Sequence, residues 1–172
     1  MRNLLLTALI ITTFTTTTFL SCATVNGVDM RNASKSDITT LMGGAALSFG
    51  VHTLSHAIYL ESINADWSIQ GFNEVIDDRE MPDHEIGWSG RSGQVGQLIL
   101  GSIFNYGPWS DKFKNSYLVK GYNIATFFQV ASNTIFYTGD SEFIERSGAD
   151  LGRERLLYMT IGAVPVIRDI LK

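Results

Sequence analysis

One cysteine, three prolines and a sparse complement of charge set the first limits on this chain. The single thiol, Cys22, excludes an internal disulfide and any cysteine-based zinc cluster. Charged residues make up 17% of the chain, against about a quarter in ordinary soluble domains. The charge that exists is not basic. Thirteen Lys and Arg stand against 17 Asp and Glu, a net of −4, so nucleic acid is not an expected partner. There is no nucleophile elbow and no phosphate-cradling glycine loop. Gly87, Gly90 and Gly93 lack the preceding strand that a dinucleotide fold requires, and read as turn glycines.

What is present is apolar. Hydrophobic residues make up 45% of 172 positions and the mean hydropathy is +0.09, between an ordinary soluble domain and a polytopic membrane protein. The length suits one domain with one core.

Residues 1–23 have the form of an export signal: Arg2, an uncharged apolar and threonine-rich core, then Phe19, Leu20, Ser21 and Cys22. That ending resembles the lipobox of bacterial lipoproteins, and the resemblance implies lipidation at Cys22. It covers residues 1–22 only. Phe19 stands where Leu is usual, and Leu20 where a smaller residue is usual. An ordinary signal-peptidase site across Ser21, Cys22 and Ala23, or an uncleaved anchor, fits the same residues. All three readings export the rest of the chain, and the expected location is the bacterial cell envelope, anchored to a membrane. The expected organisation is a signal at 1–22, a polar tether at 23–37, and a single helical domain at 38–172.

Three runs carry no formal charge: 38–60, 92–110 and 121–139. Each is close to the ~20 residues that a bilayer crossing needs. A fourth apolar run, 156–167, contains Pro165. Each of the first three carries one narrow polar stripe at helical spacing. Ser48, His52, Ser55, His56 and Tyr59 form the first, Gln94, Gln97 and Asn105 the second, and Thr126, Gln129, Asn133 and Tyr137 the third. Such stripes satisfy one another when turned inward. The expected fold is therefore all-α: a small bundle of three to four apolar helices, membrane-embedded or membrane-associated. Its polar seam would be built from Ser48, Gln97, Gln129 and Asn133. Gly93, Gly96 and Gly101 would let a neighbouring backbone come close. Ser36 or Asp37 is the expected cap of a helix starting near residue 38. The acidic stretch 61–91 should hold a short amphipathic piece at 66–76, with breaks at Pro82, Gly87 and Gly90. The lysine-bearing connector 111–120 and this acidic stretch oppose the positive-inside tendency, so orientation stays open. Trp67, Trp88 and Trp109, near the ends of apolar segments, suit interfacial anchoring and ordinary packing equally.

The sharpest chemical pattern is His52-Thr53-Leu54-Ser55-His56. Imidazoles at i and i+4 on a helix can hold one transition metal. The pattern weakly resembles the HExxH helix of membrane metallopeptidases, which implies zinc. Thr53 replaces the glutamate that activates water in those enzymes, so hydrolysis is not expected. A third ligand could come from His84, Asp140 or Asp66, and the candidate metal set is His52, His56 and Asp140. On a packing reading, the same histidines hydrogen-bond across the seam and hold helices together. Asp83, His84 and Glu85 read as a solvated acidic loop without the spacing of a calcium loop.

The leading functional expectation is a non-enzymatic structural or accessory protein of the bacterial envelope. Its partners would be the membrane and an envelope protein, and it would have no cofactor. The alternative is a zinc-type metal-binding protein related in logic to HExxH membrane hydrolases, without their activity. A third reading is a carrier of a small polar or lipid ligand in the seam.

Overall fold

The computed structural model describes residues 24–25, 28–29, 32–70, 73–77, 81–136 and 139–171. Cys22 and the signal-like segment lie outside these residues. The described chain is all-α apart from two small hairpins. In the tether region, β1 (Thr24–Val25) and β2 (Val28–Asp29) pair antiparallel.

Helix α1 (Lys35–Ser62) starts three residues earlier than the charge pattern suggested, and its cap is Ser34 rather than Ser36 or Asp37. Asp37 is instead the far half of a capping box. Its backbone N–H donates to Ser34 Oγ at 3.2 Å, and its carboxylate accepts from the Ser34 N–H at 3.0 Å. After α1 the chain turns through Asn64, whose φ of 54° lies in the left-handed region that asparagine tolerates.

The segment expected as an amphipathic piece is a β-hairpin, β3 (Trp67–Gln70) and β4 (Asn73–Ile76), with Trp67 opposite Ile76. The sequence Trp-Ser-Ile-Gln alternates large apolar and polar residues, the period of a strand. Trp67 Nε1 ties the hairpin to α1 by donating to Glu61 Oε1 at 3.0 Å, and the Asp77 N–H closes its base on the Asp66 carbonyl at 2.9 Å.

Helix α2 (Asp83–Tyr106) begins at Pro82 and runs straight through Gly87 and Gly90, the expected breakers. Pro82 supplies extended geometry before the first turn, and Asp83 and Glu85 sit where the helix dipole favours acids. A short α3 (Asp111–Lys114) leads into α4 (Tyr117–Ile135), capped by Ser116. Helix α5 (Gly139–Arg146) follows, then α6 (Leu151–Ile170), capped by Asp150 and carrying Pro165 in its interior.

Side-chain partners fix how these helices run. Gln97 meets Ser48 while Gly93 lies against His56, so α1 and α2 are antiparallel. Leu41 lies at Gly121 and Ser48 at Thr126, so α1 and α4 are parallel. Arg91 binds Glu154 and Asn105 binds Arg168, so α6 runs parallel to α2. Two close approaches depend on glycine. A Cβ on Gly44 would overlap the Leu118 carbonyl, and one on Gly121 would overlap the Leu41 carbonyl.

The interior is unusually polar. Ser48, His56, Gln94, Gln97, Asn105, Asn123, Thr126 and Asn133 are all buried. Meanwhile Met42, Phe49, Leu54 and Ile58 of α1, Ile99 and Ile103 of α2, Phe128 of α4, and Leu156, Leu157 and Ile167 of α6 are exposed. Among the described residues, however, no helix is long and apolar enough to cross a membrane. The charge-free runs have the length, but the stripes of His, Gln, Asn, Ser and Thr that turn inward dilute their apolarity.

Candidate metal centre

His52 and His56 project from α1, one turn apart, with the two rings edge-on at 4.6 Å between centroids. Asp140 comes from the first turn of α5. The three groups converge. His52 Nε2 is 3.1 Å from His56 Nε2 and 3.5 Å from Asp140 Oδ2, and His56 Nε2 is 3.7 Å from Asp140 Oδ1. One ligand atom from each residue fits within 4.8 Å of the others. Ligands on a tetrahedral zinc, at about 2.0–2.1 Å from the ion, stand roughly 3.3 Å apart, which is the spacing found here.

The surrounding hydrogen bonds decide which ring nitrogens face the centre. Gln97 Nε2 donates to the backbone carbonyl of Ser48 at 3.0 Å, and a carbonyl can only accept, so the amide orientation is fixed. Gln97 Oε1 therefore faces His52 Nδ1 at 3.2 Å, and that nitrogen must carry the proton. Ser92 Oγ donates to the Ser89 carbonyl at 2.8 Å, which leaves its lone pairs for the N–H of His56 Nδ1 at 3.0 Å. Both histidines thus spend their Nδ1 protons outward and turn Nε2 lone pairs toward each other and toward Asp140. Metal-binding histidines are oriented in this way by their outer partners. Asn133 Nδ2 donates to Asp140 Oδ2 at 3.3 Å and holds the carboxylate. Burial pushes the His56 pKa below its ordinary value, Asp140 opposes that shift, and His52 adds to it. A neutral imidazole, the ligating form, is favoured.

The polar seam is continuous with this centre. Gln97 Nε2 also reaches Ser48 Oγ and Gln129 Oε1, both at 2.8 Å, and Ser48 Oγ is hydrogen-bonded to Thr126 Oγ1 at 2.8 Å. Ser48, Gln97 and Gln129 form one network, and Asn133 serves the aspartate. Asn105 and Asn123 make a second, reciprocal amide pair, at 2.9 and 3.1 Å.

Glycine lets the centre form. A Cβ on Gly93 would collide with His56 Nε2 and the His52 ring, so α2 offers the imidazoles a bare backbone. A Cβ on Gly90 would sit 2.5 Å from the Asp140 carbonyl, so α5 packs directly on α2. Arg155 Nη2 fastens α5 to α6 by donating to Ser141 Oγ at 2.7 Å.

Other sequence candidates lie elsewhere. His84 is exposed in the first turn of α2. Asp66 lines an acidic hollow of about 600 Å³ with Asp77 and Glu85. Thr53, at the position of the missing glutamate, is exposed. The contributions of Ser92 and Gly93 escaped the sequence reading. Ser92 was only the first residue of a charge-free run, and Gly93 was read as a spacer for backbone, not for imidazole.

Fold and site together define a class: an all-α bundle with a polar core and a His-His-Asp cluster at the junction of α1, α2 and α5. Comparison with protein-family models, curated proteins and solved structures finds no match to this chain.

Proposed function

We propose that this chain is a transition-metal-binding protein of the zinc class, with its ion held by His52 Nε2, His56 Nε2 and the Asp140 carboxylate. One observation carries the reading: two imidazoles one turn apart on α1 and a carboxylate from α5 converge, with a ligand atom of each within 4.8 Å of the others. A cation between the two Nε2 atoms and the carboxylate would offset the repulsion of their converging lone pairs. Borderline metals suit imidazole and carboxylate ligands together.

The metal's role in this reading is architectural. It would clamp the eight-residue α5 onto α1, and Thr53 offers no carboxylate to activate water. The setting is the membrane of a bacterial envelope. Support comes from the export-signal form of residues 1–22 and from the many exposed large apolar side chains around a polar interior.

The test is metal analysis of protein stripped with chelator, reloaded with zinc and desalted, beside a His52→Ala/His56→Ala variant. The expected result is close to one ion per chain in the wild type, none in the double variant, and weakened retention in Asp140→Asn. A wild type that retains no metal, or a double variant that retains as much, overturns the reading.

A further inference from the structure

A cleft of about 160 Å³ lies between α2, α4 and α6, with Gln97 among its lining residues. It exists because side-chain volume is missing there. Gly101 and Gly162 face it, and Pro165 interrupts α6 beside it. Proline has no N–H, so the Ile161 carbonyl at the cleft wall has no hydrogen bond from residue 165.

The lining is polar and buried at its floor and mixed at its rim, where exposed Ser102 also stands. The inner residues Gln97, Asn123 and Thr126 are buried and polar, whereas Ile161, Val164 and Tyr106 at the rim are exposed. Among the described lining residues none is charged. Its size is close to the roughly 150 Å³ of an engineered apolar cavity that takes up benzene, so it fits about six or seven non-hydrogen atoms.

We propose that this cleft binds a small neutral amphiphile, with a hydroxyl or amide head against Thr126 and Asn123 and a hydrocarbon tail leaving past Ile161 and Val164 toward the apolar outer surface. The neutral head follows from the floor: a carboxylate or ammonium there would be stripped of water without an opposite charge. The tail direction follows from Ile161 and Val164, the exposed aliphatic residues on the α6 side of the rim, opposite Ser102 and Tyr106 on α2.

The probes are 1-hexanol and hexanoate, equal in carbon number and differing in head charge. Binding to the full chain is followed by NMR chemical-shift changes and by melting temperature. The wild type is expected to respond to 1-hexanol saturably and to hexanoate at least tenfold more weakly. Gly162→Leu would fill the cleft and abolish the response. Should that side chain prove too large to fold, Gly162→Ala serves, because its Cβ meets Leu98 Cδ2 at 3.8 Å and Phe127 Cα at 3.9 Å, ordinary contacts. It should weaken 1-hexanol binding severalfold. Thr126→Val should weaken it similarly by removing the hydroxyl at constant size.

Three results overturn the proposal: no saturable response to 1-hexanol, equal responses to both probes, or an undiminished response in the glycine variants. The last would mean hexanol partitions onto the outer surface. Zinc content measured on the Gly162 variants, which touch none of the hydrogen bonds that lead to the histidines, is expected to stay constant, so this proposal and the metal reading fail separately.

Discussion

Gln97 is fully buried, and both ends of its amide are committed to other helices. Its nitrogen serves Ser48 and Gln129, and its oxygen holds the His52 Nδ1 proton. Gln97→Leu keeps the bulk and removes every one of these bonds. Each buried group left without a partner costs about 1–3 kcal/mol, so urea denaturation of the metal-free variant should show a loss of at least about 2 kcal/mol. Zinc affinity, read by competition with a chromogenic chelator, should fall roughly 10–100-fold, as when an outer partner of a ligating histidine is lost. Gln97→Glu separates the two effects. It keeps an acceptor for His52 and loses the donors, so affinity should recover more than stability. His56 gives a second prediction at this scale. Its folded pKa is lowered from 6.5 chiefly by burial, so its contribution is fully present above that value and is lost as pH falls. Below it, the unfolded chain takes up a proton that the buried ring resists. The melting temperature of the metal-free protein should drop between pH 7.5 and 5.5, and His56→Gln should flatten that drop.

At the scale of elements, glycines determine how closely helices pack. Gly43 and Gly44 are adjacent on α1 and opposite in role. A Cβ at Gly43 meets nothing within 4 Å, whereas one at Gly44 would enter the α4 backbone. Gly43→Ala should therefore stabilise by about 1 kcal/mol through helix propensity. Gly44→Ala should destabilise by about 1–3 kcal/mol through overpacking, both measured by denaturant midpoint. The same division shows what could be read from the sequence. The inward stripes were legible, because an uncharged face of Ser, His, Gln and Asn at helical spacing has few places to go but a shared interior. The hairpin at 67–76 was not, because Trp67, Ile69, Phe72 and Ile76 satisfy a helical spacing as readily as a strand alternation. The start of α2 was missed for a physical reason too. Gly87 and Gly90 cost helix propensity, but Ser147 packs against the first and α5 against the second, and that compensation is tertiary. Asp140 could be nominated from sequence as a ligand, yet its convergence with His52 depends on α5 folding back across α2.

Among the described residues, the interior mixes an apolar core, Leu60, Ile86, Val119, Val130 and Ile144 among it, with many buried hydrogen-bonding groups, while large apolar side chains are exposed on the outside. In water such a surface promotes association, while in an apolar surrounding it costs little. The membrane setting proposed above, with Cys22 as the lipidated residue, has its own test. Cells fed labelled palmitate should label the wild-type chain and not Cys22→Ser, and the variant should shift from the envelope fraction. The central claim, though, is the ion at the junction of α1, α2 and α5. X-ray absorption at the zinc edge of the reloaded full chain reads that centre directly. The account predicts nitrogen and oxygen neighbours at about 2.0–2.1 Å with the outer-shell scattering of two imidazoles, and one imidazole fewer in His52→Ala. A zinc environment without imidazole scattering, or one unchanged in His52→Ala, would contradict it.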